Sequence, residues 1–235
     1  MKARTLGAIA VLLTPVVITV ADLLRLGAEG GVLADGSAST TQLFTAVNAH
    51  RGAWEAGAWL FYLAALLTIP MVLLLWRLAV DRAPVLAWTG GVLGAGMVTG
   101  QIAHLMGYFV TVGALSGMPD TEAAVSAQQS LDASSLGFAV FAPFLLGVLL
   151  APAVLALALW RARVIPGWAL GSVLLGTVVF AAFSGQPWAS VVWGVALVAG
   201  LLPAARSALR SVDTDAPRVA DRSATSAAPV APPAR

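Results

Sequence analysis

The chain has 235 residues, of which 59% are hydrophobic and only 10% charged, with a formal net charge of +2 and a mean hydropathy of +0.89. That is far too little polar surface for a water-soluble globule. No cysteine is present, which excludes disulfides, thiolate metal sites, iron–sulfur clusters and cysteine nucleophiles. The 13 basic residues form no stripe of the kind that binds nucleic acid.

A hydrocarbon layer of about 30 Å takes about 20 apolar residues to cross as a helix. Six stretches approach that length, at residues 6–24, 57–76, 85–108 with an extension toward 115, 136–160, 165–183 and 188–203. All six are expected to be helices, because a lipid-exposed backbone must satisfy its own hydrogen bonds. The predicted fold class is therefore all-α, a polytopic bundle of six transmembrane helices over residues 1–206.

Lys2 and Arg4 ahead of the first stretch resemble the start of a secretory leader. The apolar run continues through Ala21 to Leu24, however, and no clean small-x-small cleavage site precedes Glu29. An uncleaved first helix is expected.

Two outer connections are too long to be simple turns. The first, residues 27–56, opens with Gly30, Gly31 and Gly36 and continues as a short amphipathic helix carrying Leu43, Phe44 and Val47, expected to lie flat at the outer interface. The second opens with Pro119 and Asp120, a helix start, and runs to Asp132. Together they are able to cap the outer ends of the spans. Ordinary polar connections would read the same way.

The third stretch has the most unusual contents. Gly90 and Gly94, then Gly96 and Gly100, repeat at the four-residue spacing that lets helices approach closely in lipid, which predicts a central position. Its outer half carries Gln101, His104, Tyr108 and Thr111, spaced so that all four fall on one helical face. Counting from Val85 puts His104 near the outer hydrocarbon boundary. Asp22, Glu55 and Asp132 end or begin neighbouring spans at the same depth, so Gln101, His104, Tyr108, Asp22, Glu55 and Asp132 form a candidate outward-facing ligand site. The plainer alternative pairs Asp22 with Arg25 at i,i+3 and leaves His104 as polar glue between helices.

After the sixth stretch, residues 207–235 hold Pro217, Pro229, Pro232 and Pro233 among Ala, Ser and Thr, the composition of a disordered cytoplasmic tail.

Charge placement sets the expected orientation. Lys2, Arg4, Arg77, Arg82, Arg161, Arg163, Arg206, Arg210, Arg218, Arg222 and Arg235 all fall on one side of a six-span arrangement, while the other side holds Arg25 and Arg51 with Asp22, Glu29, Asp35, Glu55, Asp120, Glu122 and Asp132. The positive-inside rule then makes both termini cytoplasmic. Trp76, Trp88, Trp160 and Trp168 mark the inner boundary, and Trp54, Trp59 and Trp188 the outer one.

No catalytic residue is expected. The chain lacks a Gly-x-Ser-x-Gly elbow, a His-Glu-x-x-His pair, a phosphate-cradling loop and intramembrane aspartate pairs. No metal or cofactor is expected either: the only histidines are His50 and His104, and His50 lies in a loop, which argues against a bis-histidine haem. A partial likeness between the segments around Pro70–Trp88 and Pro152–Trp168 is accounted for by Trp and Arg recurring wherever a helix meets the cytoplasm.

The Thr14-Pro15 break, the Leu-Trp-Arg ends at Leu75–Arg77 and Leu159–Arg161, and arginine used almost to the exclusion of lysine resemble uncharacterised six-helix integral membrane proteins of high-GC actinobacteria. The resemblance spans residues 6–206 and implies a bacterial plasma (inner) membrane, with no activity to transfer. The expected function is a non-enzymatic multi-pass protein embedded in the lipid bilayer, binding a small ligand or lipid, a membrane-protein partner or a second copy at the outer polar pocket. A facilitator or transporter subunit for a small neutral solute is the rival reading, and a haem-binding redox protein a third.

Overall fold

The computed structural model describes residues 3–32 and 39–214, so Asp35, Gly36 and the tail beyond residue 214 lie outside the described residues. Every regular element among them is a helix: α1 (Ala3–Glu29), α2 (Thr40–Ala49), α3 (Arg51–Ala79), α4 (Pro84–His104), α5 (Thr111–Ser116), α6 (Thr121–Asp132), α7 (Ser135–Arg161), α8 (Gly167–Ala182) and α9 (Pro187–Thr214). A π-helical segment, Leu105–Val110, joins α4 to α5 without a break.

Five of these are long and apolar enough to cross a membrane: Ala3–Glu29, Arg51–Ala79, Pro84–Ser116, Phe141–Arg161 and Pro187–Arg210. The stretch expected at 165–183 is shorter than a standard span. Its helix, α8, has 16 residues and therefore rises about 24 Å. The first helix runs on past residue 24 to Glu29, and the last continues beyond Arg206 into the segment assigned to the tail.

The long helices close into a ring. α1 packs on α3 and α9, α3 on α4, α4 on α7, α7 on α8, and α8 on α9. Neighbours run antiparallel: Gly7 of α1 meets Leu74 of α3 while Gly57 meets Ala21, and Gly90 of α4 meets Leu155 of α7 while Gly100 meets Phe144. With this alternation α1 starts and α9 finishes at the same end of the bundle. The turns after α3 and α7 share that end, where the Arg82 guanidinium donates to the Ala162 carbonyl at 3.0 Å. The arginine-rich turns therefore gather at one end of the ring.

The glycines of α4 fit it closely against two neighbours, but it forms part of the ring wall and is not central as expected: its span is the least buried of the five. A Cβ on Gly90 would stand 2.8 Å from Leu155, and one on Gly94 2.6 Å from Val72, so the helix is wedged between α7 and α3. Gly147 of α7 reciprocates, because its Cβ would stand 2.5 Å from the Met97 backbone. Close backbone approach is how helices gain contact where lipid supplies no hydrophobic drive. Gly96 is not part of this contact, having only ordinary clearance from Pro143.

Opposite the arginine turns, α2, α5 and α6 pack together over the ends of α1 and α3. Asp120 accepts from the Ala123 amide at 3.0 Å and starts α6, as its position after Pro119 predicts. Ser39 starts α2 through a capping box with Gln42. The apolar face of α2 does not rest on lipid: Leu43, Phe44 and Val47 are buried in a protein cluster with Trp54, Phe109 and Val112. Trp54 is likewise no interfacial belt residue, at 2% exposure, whereas Trp59, Trp88, Trp168 and Trp188 are exposed on the perimeter.

Candidate functional site

Asp22, Arg25 and Glu29 occupy the last two turns of α1 at i, i+3 and i+7, a spacing that puts them on one face. Arg25 joins the two carboxylates. Its Nε and Nη2 donate to Asp22 Oδ1 at 2.9 and 2.7 Å, and its Nη1 donates to both Glu29 oxygens at 2.8 and 2.9 Å. Tyr108 in the π-helical segment donates its hydroxyl to Glu29 Oε1 at 2.6 Å. From α9, the Ser190 hydroxyl donates to Asp22 Oδ2. Burying a carboxylate is costly unless its lone pairs are met, and Glu29, only 1% exposed, is met by two elements. The cluster thus fastens the C-terminal end of α1 to α9 and to the π-helical segment.

His104 lies beside this cluster, in a nest of rings. It stacks between Tyr108, at 5.2 Å and 7°, and Phe144, at 4.7 Å and 6°. Phe61, Phe109 and Phe141 surround it at 5.3, 5.7 and 5.2 Å. The space around His104 is therefore bounded by aromatic side chains, with five ring centroids within 5.7 Å of its own. Gln101, one turn below, is 1% exposed, and neither its amide nitrogen nor its oxygen has a hydrogen-bond partner among the described residues.

Of the six residues proposed from sequence, Asp22, His104 and Tyr108 come together, with Gln101 buried beneath them. Glu55 and Asp132 stay outside the cluster. Glu55 is 60% exposed and pairs with Arg51 at 3.0 Å, and Asp132 is exposed and accepts from Gln128 at 2.8 Å. Thr111 also leaves the stripe, since its hydroxyl turns back to the Met106 carbonyl at 2.9 Å. The π-helical segment advances the chain by more residues per turn than an α-helix does, so a face extrapolated at α-helical spacing past Leu105 drifts out of phase. His50, the other histidine, has its Nδ1 3.1 Å from the Ala46 carbonyl at the end of α2.

Sequence reasoning missed Glu29, Ser190 and the phenylalanines. Glu29 has a signal: it stands four residues after Arg25, the spacing of a helical ion pair, although the glycines that follow it favour a loop there. Ser190 and Phe144 have none, because only the ring closure brings α9 and α7 to the site.

The open space lies on the far side of the π-helical segment. A groove of about 580 Å³ runs between α3 and the segment, lined by Arg51, Trp54, Glu55, Ala58, Trp59 and Tyr62 on one wall and Leu105, Phe109, Val110, Gly113 and Ala114 on the other. Trp54 Nε1 donates to the Phe109 carbonyl at 2.9 Å and closes the floor. A Cβ on Gly113 would stand 3.0 Å from that Nε1, so a small residue is needed for the indole to reach across. The groove has charged groups at its mouth and rings and alkyl groups along its walls. Such a surface suits an amphipathic ligand.

Comparison of the chain with protein-family models, with curated proteins and with solved structures finds no match.

Proposed function

We propose that the chain is a non-enzymatic, six-span protein of the bacterial plasma membrane, with both termini cytoplasmic, that binds a lipid-like amphiphile at the outer end of the bundle. The groove between α3 and the π-helical segment is the observation that carries this reading. Its volume falls in the range of small-molecule sites, and it combines an ion pair at the rim with apolar walls. Depth supports it as well. The helix from Pro84 to Ser116 has 33 residues and rises about 50 Å, well beyond a hydrocarbon layer of about 30 Å. With the arginine turns at the cytoplasmic face, Leu105 falls near the outer boundary, and the groove straddles the headgroup zone.

α8 completes the six-span arrangement despite its length, because the exposed Trp168 in its first turn and Trp188 at the start of α9 lie where a locally thinned bilayer would meet them. Reporter fusions test the topology: activity of a cytoplasm-dependent reporter after residue 214 and of an export-dependent reporter after residue 118 is expected, and the reverse pattern would overturn it. Mass spectrometry of the protein after detergent exchange tests the binding. Wild type is expected to retain about one lipid-like molecule per chain, and Ala114→Trp, which fills the groove, to retain none. Absence of any retained amphiphile in wild type refutes the reading.

A further inference from the structure

Resting on that reading, we infer that the groove selects a zwitterionic phospholipid of the outer leaflet, with its phosphate on Arg51 and its ammonium between Glu55 and Trp59. The mouth is a charge dipole, and the dipole is only partly used internally. Arg51 gives its Nε to Glu55 Oε1 at 3.0 Å, and the hydrogen bonds among the described residues engage neither its terminal nitrogens nor Glu55 Oε2. Arg51 Nη1 stands over Gly117, 2.9 Å from where a Cβ would be, so the guanidinium spans from α3 to the end of α5 across a position with no side chain. A planar fork held this way presents paired N–H groups that match phosphate oxygens.

One turn along α3 the chemistry changes sign. Glu55 is followed by Trp59, 71% exposed, whose ring meets Tyr62 edge-on at 6.3 Å. Glu55 and Trp59 share one face of α3 at i,i+4 spacing, and an exposed carboxylate near an exposed indole is a pairing that holds an ammonium, by charge from one and by the ring quadrupole from the other. Purely anionic lipid would meet Arg51 but place its remaining polar groups against Glu55 without a compensating charge. A zwitterion satisfies both ends. Below the headgroup, Ala58 and Tyr62 face Leu105 and Val110 and leave an apolar slot for an acyl chain.

The test is lipid selectivity of the full-length protein. Protein reconstituted in an equimolar mixture of phosphatidylethanolamine and phosphatidylglycerol and then taken into mild detergent is analysed by native mass spectrometry. Wild type is expected to retain phosphatidylethanolamine over phosphatidylglycerol by about tenfold, the factor one charge-assisted contact supplies. Glu55→Gln is expected to bring the ratio close to one, while Arg51→Gln lowers retention of both lipids, which share the phosphate. Soluble glycerophosphoethanolamine is expected not to displace the lipid, since it lacks the chain that fills the slot. Equal retention of the two lipids by wild type, a ratio unmoved by Glu55→Gln, or displacement by the soluble headgroup overturns this inference and leaves the amphiphile site standing. Loss of every retained lipid from wild type overturns the amphiphile site itself.

Discussion

Arg25→Met removes the guanidinium that joins Asp22 to Glu29 and is expected to be the most damaging single change at this end of the bundle. Four hydrogen bonds disappear, each between charged groups. The larger part of the cost is what remains: Glu29, 1% exposed, keeps only Tyr108, and Asp22, 16% exposed, keeps only Ser190. Removing one partner of a buried ion pair costs about 3–5 kcal/mol, because a charge is left without compensation in a poorly solvated site. Arg25→Met combined with Glu29→Leu is expected to recover about 2 kcal/mol of that, since the orphaned carboxylate goes too. Arg51→Met is the control. Its pair with Glu55 is 49% and 60% exposed, so the change should stay within about 1 kcal/mol. Reversible unfolding in mixed micelles, followed by Trp fluorescence, reads all three. If Arg25→Met and Arg51→Met prove equally mild, the buried cluster does not hold this end of the bundle together and the reasoning fails.

Gly147→Leu forces side-chain atoms into the Met97 backbone of α4 and is expected to cost at least about 3 kcal/mol, whereas Gly27→Ala, where a Cβ meets nothing, should be neutral or slightly stabilising in the same unfolding assay. His104→Phe should change stability by less than about 1.5 kcal/mol because the stack between Tyr108 and Phe144 accepts another ring, while His104→Ala should cost about 3 kcal/mol through the void it leaves; comparable losses for both would mean that the imidazole nitrogens, not the ring, matter. Trp54→Phe removes the indole N–H from the Phe109 carbonyl and is expected to cost about 1 kcal/mol and to raise the hydrogen-exchange rate of amides in the π-helical segment, a readout that would stay flat if the bond at 2.9 Å contributed nothing.

Some of this architecture is local. Apolar runs longer than a strand can be, in a chain with so few charges, leave helices crossing a bilayer as the economical solution, and length alone marks them. The four-residue spacing of Gly90 and Gly94 announces close packing, and Asp120 after Pro119 announces a helix start, because both effects act within a turn or two of the backbone. The Asp22–Arg25 pair is local too, and Glu29 was equally within reach of an i,i+4 reading. Which neighbour each glycine meets is not local. Gly90 turns to α7 and Gly94 to α3 only because the ring wedges α4 between them.

The site shows the same division more sharply. Its candidate stripe, Gln101, His104, Tyr108 and Thr111, rests on an unbroken 3.6-residue period, and the π-helical segment breaks that period at Leu105. Tyr108 reaches Glu29, 79 positions away in the chain, and Ser190 reaches Asp22 across 168. Sequence by itself determined that this chain forms apolar helices with charge sorted between their ends, because hydrophobic length and side-chain spacing are properties of neighbouring residues. Only the tertiary structure decided that His104 is enclosed by rings and that the open space falls beside Arg51 and Glu55. Those outcomes depend on which helix faces close on one another, and that is set by contacts between residues far apart along the chain.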